Sequence, residues 1–345
     1  MAKKVIASDI PAFAGIDVGK KELVLALRLD GREEDWGSFA NDAKGVRALI
    51  RKLKALKRPV FACIEPTANY HELAARELYA VPGFSVMIAN SRKVKELARG
   101  TNHRSKTDKV DARVIAQYAD INKFKAWTPA PDSYYHLRDI VRYADKLTGT
   151  VVAEKNRLHA LRARGNCYAE LEREIKKHIK FLESSVARLL KEALEIIKAD
   201  AVLHAHYQLA CSTSGIGMIS AVHIIAETCT LPEGLSAHQW VACAGLDPRH
   251  QESGTSIKKP GRISREGNPH LRRALFYPAM VAARRDPHVR AFYEKLLQKG
   301  KKKLQAIVAV MRKLLHAIWG MFKNSTTFDG AILFPDLTPH PLTRQ

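Results

Sequence analysis

The stretch FAGIDVGKKELVLALRL, residues 13–29, decides the fold of the first part of the chain. Residues 13–19 and 23–29 are short apolar runs, and the charged triplet Lys20-Lys21-Glu22 separates them. Two apolar runs around a short polar break are the pattern of a strand, a tight turn and a second strand. The sequence therefore predicts a β-hairpin with Asp17 on its first strand.

The residues that follow predict further strands and then helices that alternate with them. A third strand is expected near residues 36–39. Residues 43–56 space their apolar side chains at helical intervals, whereas VFACIE (60–65) is continuously apolar, as in a buried strand. The series continues with a helix at 71–79, a strand at 84–89, and helices at 91–98 and 107–119. This order predicts an α/β mixed sheet with helices on its faces.

Four acids in this region are candidate metal ligands: Asp17, Glu65, Asp108 and Asp111. Glu65 ends a predicted strand, and the two later acids lie three residues apart near the start of a predicted helix, on one face of it. Four convergent carboxylates repel one another unless a cation is present, and hard oxygen ligands suit Mg²⁺ or Mn²⁺. Such ions can bind a scissile phosphate. The alternative is that each acid is a helix cap or a surface charge.

The charge of the chain indicates a polyanionic partner. Lys and Arg number 57 against 35 Asp and Glu, which gives a formal net charge of +22. This field favours nucleic acid. We expect no membrane span, because the most apolar stretch, 304–322, contains charged residues and is typical of a buried helix. The N-terminal residues lack the apolar core of a signal peptide, which predicts a cytoplasmic protein. The five cysteines form no CxxC pair and are expected to be reduced and buried.

Two long helices are predicted in the middle of the chain. Apolar residues recur at helical spacing over 137–161, and Gly165-Asn166 then breaks the helix. Over 171–196 the apolar steps alternate between three and four, as in a coiled-coil seam. The pair is interpreted as an antiparallel arm or a dimerisation element. A plain helical hairpin within one subunit explains the pattern equally well.

Two later segments suggest contact with nucleic acid. SGIGMISAVHIIAE (214–227) has two glycines at a helix start, as in a helix-hairpin-helix element, although a simple helix cap explains them equally well. Residues 240–280 are rich in Gly, Pro and Ser and predict an irregular segment between helices. Its basic residues are candidate phosphate ligands: Arg249, Lys258, Lys259, Arg262, Arg265, Arg272 and Arg273.

The motifs together resemble one family of proteins. GIDVGKKEL, CIEPTANY and NHRSKTDKVDAR are followed by AGLDPRHQESGTS and GRISREGNPHLRRAL and then by a basic C-terminal helix. In this order they are similar to the DEDD-type transposases of bacterial insertion sequences, the Piv/IS110 family. Its better-known members are recombinases guided by a bridge RNA. The resemblance spans about residues 14–322.

The resemblance implies a fold with several parts. A RuvC-like domain of RNase H type is expected at 12–130, a coiled-coil helical region at 131–200, and a mostly helical C-terminal transposase domain at 201–325. A tail follows at 326–345. The fold class is thus α/β plus all-α.

The resemblance also implies the roles of particular residues. Asp17, Glu65, Asp108 and Asp111 correspond to the metal-binding tetrad, with Mg²⁺ or Mn²⁺ as the cofactor. Ser253 in QESGTS corresponds to a catalytic serine that forms a covalent phosphoserine with DNA. Ser256 and Ser264 are weaker alternatives. The candidate nucleic-acid ligands include, beside the basic residues of 240–280, Arg104 and Lys106.

The implied partners are donor DNA, target DNA and a structured non-coding bridge RNA. The protein is expected to be cytoplasmic and associated with the nucleoid when it is bound to DNA. Because helices separate the acids from Ser253, we expect a homo-oligomer, a dimer or tetramer, in which the two halves of the active site meet across subunits.

Three other classes of protein remain open. A Holliday-junction or structure-specific nuclease uses the same four acids with an activated water and has no need of Ser253. An actin-like or sugar-kinase ATPase begins with a similar strand but requires a second phosphate-binding glycine loop. A non-catalytic RNA-binding scaffold would tolerate the change Asp108→Asn.

Overall fold

The computed structural model describes residues 10–101, 107–122, 124–165, 168–253 and 257–334, with side chains left out of the description at 250–253 and 257–261. The chain divides into two compact units, Met1–Pro129 and Ala130–Gln345. Each unit is described by itself below.

The first unit contains a five-stranded mixed sheet. Its elements in chain order are β1 (Ala12–Val18), β2 (Glu22–Leu29), β3 (Arg32–Ala40), α1 (Ala43–Lys54), β4 (Val60–Ile64), α2 (Glu72–Tyr79), β5 (Phe84–Ile88), α3 (Ser91–Gly100) and α4 (Asp108–Ile121). The strand order is β3-β2-β1-β4-β5. β1 to β3 form an antiparallel meander, whereas β4 and β5 run parallel to β1. The predicted hairpin and mixed sheet are confirmed.

Helices cover both faces of this sheet. Alternate side chains of β1, such as Ala14 and Ile16, pack in one core with α1 and α2. The opposite face packs with α3 and α4, in a core that includes Cys63 and Ile115. A strand buried on both faces must be apolar almost throughout, which explains the continuous apolar runs in the sequence.

Gly15 allows helix α4 to lie directly against strand β1. A Cβ atom at Gly15 would come within 2.1 Å of the Ala112 carbonyl oxygen and 2.3 Å of the Ala116 nitrogen. Glycine is therefore required for this close approach of two backbones. Two ion pairs hold the same helix to neighbouring strands, Arg113 to Asp35 on β3 and Asp120 to Arg28 on β2.

The second unit is mainly helical. Its elements are α5 (Asp132–Ala163), α6 (Ala169–Ala199), α7 (Ala201–Ser212), α8 (Met218–Thr228), α9 (Ala237–Cys243), β6 (Pro248–Ser253), β7 (Ile257–Ile263), α10 (Pro269–Arg285), α11 (Pro287–Gln298), α12 (Lys303–Asn324) and α13 (Gly330–Leu333). The two long helices α5 and α6 confirm the predicted helical pair, with Gly165 in a left-handed conformation after α5.

The apolar seam of α6 is used within the chain. Ile175, Ile179 and Leu182 pack against Val151 and Leu158 of α5. The C-terminal part of α6 continues into a second cluster with residues of α7 and α8. Helix α6 therefore packs through this seam against α5 in a helical hairpin within the chain, which is one of the two interpretations of the pattern.

The prediction of an irregular segment at 240–280 is partly wrong. β6 and β7 form an antiparallel hairpin in that range, and helix α10 begins at Pro269. The hairpin is a two-stranded sheet separate from the five-stranded one. Strands are ordinarily recognised by an alternation of apolar and polar residues. This hairpin lacks the alternation and is rich in Gly, Pro and basic residues, because neither of its strands belongs to a larger buried sheet.

The core of the second unit forms around α10 and α12. Among the described residues, α12 is the one helix long and apolar enough by composition to cross a membrane. Its side chains Val310, Leu314 and Ile318 are buried in this core, which confirms the buried helix expected at 304–322.

The described cysteines are all free thiols. Cys63 is fully buried, whereas Cys211, Cys229 and Cys243 are only partly buried, so the expectation of buried cysteines holds fully for the first alone. Cys167 lies outside the described residues.

Candidate active site

Two of the candidate acids come from adjacent parallel strands. Asp17 is the last residue but one of β1, and Glu65 follows β4 directly. The Glu65 backbone N–H donates to the carbonyl oxygen of Ile16 at 3.3 Å, which continues the parallel ladder by one step. The carboxyl ends of β1 and β4 therefore present these two acids side by side at one edge of the sheet.

The other two acids come from the first turn of α4. Thr107 caps this helix, and its hydroxyl accepts a hydrogen bond from the Val110 N–H. Asp108 and Asp111 follow in the first turn, where the helix dipole favours negative charge. Asp111 lies next to Ala112, the residue that contacts Gly15. The close helix-strand contact thus brings the start of α4 to the end of β1.

The negative charges of the other three acids all act on Asp17. Burial and the negative charges of Asp111, Asp108 and Glu65 raise the pKa of Asp17 to about 6, whereas a hydrogen bond from the Val18 backbone opposes this shift. Among the described residues, no cation contributes to the charges that shift the pKa of Asp17, which are those of the other three acids. With regard to the described residues, none of the four acids forms an ion pair with Lys, Arg or His. The end of β1 is therefore a region of negative charge with which no described basic side chain pairs.

This region fits a divalent cation in its chemistry. Carboxylate oxygens are the ligands that Mg²⁺ and Mn²⁺ prefer, and a bound cation would offset the repulsion that, together with burial, raises the pKa of Asp17. Within the described ranges, however, no three acids converge into a closed set of metal ligands.

Ser253 is the last residue of β6, at the far end of the hairpin from the helices. Its backbone pairs with Ile257, whereas Pro248 and Ile263 pair at the other end. The structure describes the backbone of Ser253 but not its side chain, and Ser256 lies outside the described residues. The Ser264 hydroxyl donates a hydrogen bond of 2.5 Å to Asp247 Oδ1, so it is already engaged at the base of the hairpin.

The candidate nucleic-acid ligands differ in their surroundings. Arg262 and Arg265 are exposed, and Arg273 is exposed although it lies 3.6 Å from Asp145. Arg249 forms an ion pair with Glu266 at 2.9 Å.

Arg272 is less available than the others. It donates to the Ala244 carbonyl oxygen at 2.8 Å, and burial together with the nearby Arg265 lowers its pKa. The side chains of Lys258 and Lys259 are not described, and Arg104 and Lys106 lie outside the described residues.

The structure contains a buried polar network beside the β6–β7 hairpin that the sequence does not predict. The carboxylate of Glu227 on α8 is 2% exposed and accepts two hydrogen bonds of 2.8 Å from Arg142 on α5. Asn268, which caps α10, donates a third at 2.5 Å. Next to this network Asp145 binds His223 at 3.0 Å. The residues come from three separate segments, so spacing along the chain gives no hint of their contact.

Comparison with known proteins gives two family matches in the same order. A DEDD IS110-type model described as a transposase matches residues 14–163. A model described as a transposase of the IS116/IS110/IS902 family matches residues 207–294. The first range contains the four acids, and the second contains the β6–β7 hairpin.

Several individual proteins are similar to this chain. The pilin gene-inverting protein of Moraxella lacunata is 30% identical over 325 residues, which cover 93% of this chain and 98% of that protein. The pilin gene-inverting protein of Moraxella bovis is 27% identical with the same coverage. An uncharacterized 42 kDa protein of insertion element IS900 from Mycobacterium paratuberculosis is 31% identical over 160 residues, or 42% of this chain and 39% of that protein. The chain therefore belongs to the IS110 family of transposases, and it is an enzyme that cuts and rejoins DNA.

Proposed function

We propose that this transposase is an RNA-guided recombinase that cuts and rejoins DNA through a covalent phosphoserine, at a site composed of the four acids and Ser253. The observation that carries the proposal is the cluster of negative charge at the end of β1, where burial and the charges of Asp111, Asp108 and Glu65 raise the pKa of Asp17 to about 6. The protein has a net charge of +22, which attracts a polyanion such as DNA, and the acidic cluster can bind a cation that contacts this polyanion.

Asp17, Glu65, Asp108 and Asp111 would hold the divalent cation, Mg²⁺ in the first instance. When bound, the cation supplies charge stabilisation to the phosphate that is cut. Asp17 gives up its proton when the site is loaded, which makes loading weaker below about pH 6. The start of α4 and the end of β1 set the spacing of these ligands through the contact at Gly15.

Ser253 supplies the nucleophile in this proposal. Its hydroxyl oxygen attacks the scissile phosphorus, the bond to the leaving DNA oxygen breaks, and the serine proton passes to that oxygen. In rejoining, a DNA hydroxyl attacks the phosphoserine and restores the free serine. The number of phosphodiester bonds is conserved, so no external source of energy is needed. Exposed arginines such as Arg262 could neutralise the charge that develops on the phosphate.

We also infer the finer architecture and the partners. The mixed sheet with helices on both faces supports a RuvC-like domain at 12–130, and the α5–α6 pair supports a coiled-coil region at 131–200 ahead of a transposase domain at 201–325. The protein acts as a dimer or tetramer with a structured bridge RNA on donor and target DNA in the cytoplasm. The RNA selects the sequence, while the protein reads backbone shape and charge.

A nuclease that uses the four acids and an activated water is the alternative. It would cut DNA without joining itself to it. A covalent adduct between protein and DNA therefore distinguishes the two functions.

The test begins with protein purified together with its nucleic acid, so that the bound RNA can be sequenced. Labelled DNA that carries the joined ends of the element is then added with Mg²⁺, and adducts stable to denaturing gel electrophoresis are counted. We expect an adduct with the natural protein and none with Ser253→Ala. Ser184→Ala is the matched control, because Ser184 is exposed on α6 and its hydroxyl only donates to the carbonyl oxygen of Phe181. Cleavage that continues in the Ser253→Ala protein without an adduct would establish the nuclease instead.

A further inference from the structure

We propose that the hydrogen bond between Ser264 and Asp247 is a positioning device, a clasp that fixes the direction of the β6–β7 hairpin and hence the location of Ser253. This inference rests on the proposed role of Ser253. It assigns to Ser264 and Asp247 a task in strand exchange other than nucleophilic attack.

The hairpin depends on its base for its orientation. It forms a two-stranded sheet that is hydrogen-bonded to no other strand of the described chain. A two-stranded sheet on its own is only marginally stable. The position of its far end therefore follows from whatever holds its two ends at Pro248 and Ile263.

The clasp joins the residues immediately outside those ends. Asp247 precedes β6 and Ser264 follows β7. The Ser264 hydroxyl donates to Asp247 Oδ1 at 2.5 Å, and the Ser264 N–H donates to the Asp247 carbonyl oxygen at 2.9 Å. The same hydroxyl accepts from the Glu266 N–H at 3.3 Å. One serine side chain thus closes the base and fixes the direction of the chain that leaves it.

Further contacts support the clasp from both sides. Toward the hairpin, Glu266 pairs with Arg249 of β6 at 2.9 Å. Toward the helices, the Arg265 N–H donates to the Gly245 carbonyl oxygen at 3.1 Å, and Gly245 has a φ of 63°. Residue 265 is an arginine with a φ of 56°, a conformation that a side chain disfavours and that surrounding bonds must maintain.

The base is also attached to the buried core. The Asn268 N–H donates to the carbonyl oxygen of Cys243 at 2.7 Å, and a Cβ at Gly267 would lie 2.3 Å from that same oxygen. The Asn268 side chain reaches the buried Glu227, which is held by Arg142 of the long helix α5. Hydrogen bonds therefore connect α5 to Asn268, which lies four residues after Ser264 in the segment that leaves the hairpin.

The length of the hairpin makes small changes at its base important. Ser253 lies five residues along β6 from Pro248, or about 17 Å at the ordinary rise of a strand. A tilt of about 4° at the base moves the far end by about 1 Å, and a misplacement of that size can lower a reaction rate by about 100-fold. Loss of one hydrogen bond at the base can therefore slow the reaction without weakening DNA binding.

The experiment measures the single-turnover rate of adduct formation and, separately, the Kd for DNA on protein that retains its bound RNA. We expect Ser264→Ala and Asp247→Ala each to lower the rate by about 10- to 100-fold, and the double variant to be no slower than either, because both remove one interaction. Asp247→Asn keeps an acceptor and Ser264→Thr keeps a hydroxyl, so both should restore most of the rate. The Kd should be unchanged, and Ser184→Ala should match the natural protein.

Each outcome decides a different question. A normal rate in Ser264→Ala and Asp247→Ala, with no adduct in Ser253→Ala, would end the proposal for the clasp while the proposed function stands. An adduct that persists in Ser253→Ala but is lost in Ser264→Ala would identify Ser264 as the nucleophile and overturn both. If Ser264→Ala fails to fold, as shown by its Tm, then Asp247→Ala compared with Asp247→Asn carries the test: a slow alanine variant beside a normal asparagine variant supports the clasp, and equal rates overturn it.

Discussion

Asp17 is the residue at which the chemistry of the site can be measured most directly. Its pKa is about 6 in the folded chain, against 3.8 for an ordinary aspartate. A pKa raised by folding means that the folded protein binds the proton more tightly than the unfolded one. The resulting stabilisation is fully present below pH 3.8 and is lost as the pH rises through about 6.

We therefore predict that Asp17→Asn stabilises the protein in the absence of metal. The gain above pH 6 should be on the order of 1–2 kcal/mol, less than the full shift implies because the side chain is only partly buried. Urea unfolding in EDTA at several pH values measures it. The difference between the two proteins should shrink below pH 6, and a difference that is independent of pH would contradict the electrostatic explanation.

At this scale the sequence predicts the four acids of the first unit but not the polar contacts of Glu227 and Asp247 in the second unit. Asp17 and Glu65 could be found because each ends an apolar run, and Asp108 and Asp111 because they share a helix start. Glu227 and Asp247 could not be found. Their partners lie far along the chain or across a hairpin that the sequence does not reveal, and tertiary structure alone creates those contacts.

Helix α4 and strand β1 are the two elements whose contact builds the acidic site. We predict that Gly15→Ala lifts α4 from the sheet, because the new Cβ would meet two backbone atoms of the helix within 2.3 Å. The free energy of unfolding should fall by on the order of 2–3 kcal/mol. The pKa of Asp17, followed by NMR, should move down toward 3.8 as its carboxyl becomes more exposed and the acids separate.

Gly100→Ala is the matched control for this change. Gly100 ends helix α3 in the same unit, and a Cβ there meets no atom of the described residues within 4 Å. Alanine is the better helix former, so this variant should be as stable as the natural protein or slightly more so. Equal behaviour of the two variants would show that the close contact at Gly15 does not hold the site together.

Helices α5, α8 and α10 meet at the carboxylate of Glu227. Burial alone would raise the pKa of Glu227, but hydrogen bonds from Arg142 and Asn268 outweigh burial and lower it. We predict that Glu227→Gln lowers the free energy of unfolding by on the order of 2–4 kcal/mol at pH 7, because a buried amide nitrogen would face two donors. Chemical denaturation measures the loss.

The control and the pH dependence of this prediction follow from exposure and charge. Glu174→Gln should have no measurable effect, because Glu174 and its partner Lys177 are both about two-thirds exposed.

Folding lowers the pKa of Glu227, so the stability that its carboxylate contributes is present above the ordinary value of 4.5 and is lost as the pH falls through the folded value. The penalty of Glu227→Gln should therefore shrink in acid, and a constant penalty would contradict it.

Apolar spacing predicted most elements of the sheet and the long helices, because burial of a face or a seam imposes a period on the sequence. It failed at 248–263, where the sequence predicts an irregular segment but the structure contains the two strands of a hairpin. A strand outside a large core has no apolar face to display. Its formation depends instead on bonds at its base, such as that from Ser264 to Asp247.

At the scale of the whole molecule, the acids and Ser253 belong to different compact units. We predict that a mixture of Asp17→Ala and Ser253→Ala proteins recovers part of the strand exchange that each lacks alone. In a mixed oligomer some sites combine an intact acidic cluster from one subunit with an intact serine from another. Recombination of a labelled donor and target measures the recovery.

Covalently linked dimers provide the control. A dimer that carries both substitutions in one subunit and none in the other should lose the trans-assembled sites, whereas a dimer with one substitution in each subunit should keep one of them. Activity of the dimer that carries both substitutions in one subunit, together with inactivity of the dimer that carries one in each, would show that each site forms within one subunit.

The β6–β7 hairpin has one more consequence, for how such enzymes diversify. Its entry at Asp247 and its exit at Ser264 lie side by side and are bonded to each other, and of its described side chains only Ile263 packs against the helical core. We therefore expect the part of the hairpin before Ile263, residues 248–262, to tolerate lengthening, shortening or replacement with the hairpin of a relative at little cost to the helical scaffold. Evolution and engineering can therefore alter the reach of the serine and leave the rest of the protein unchanged.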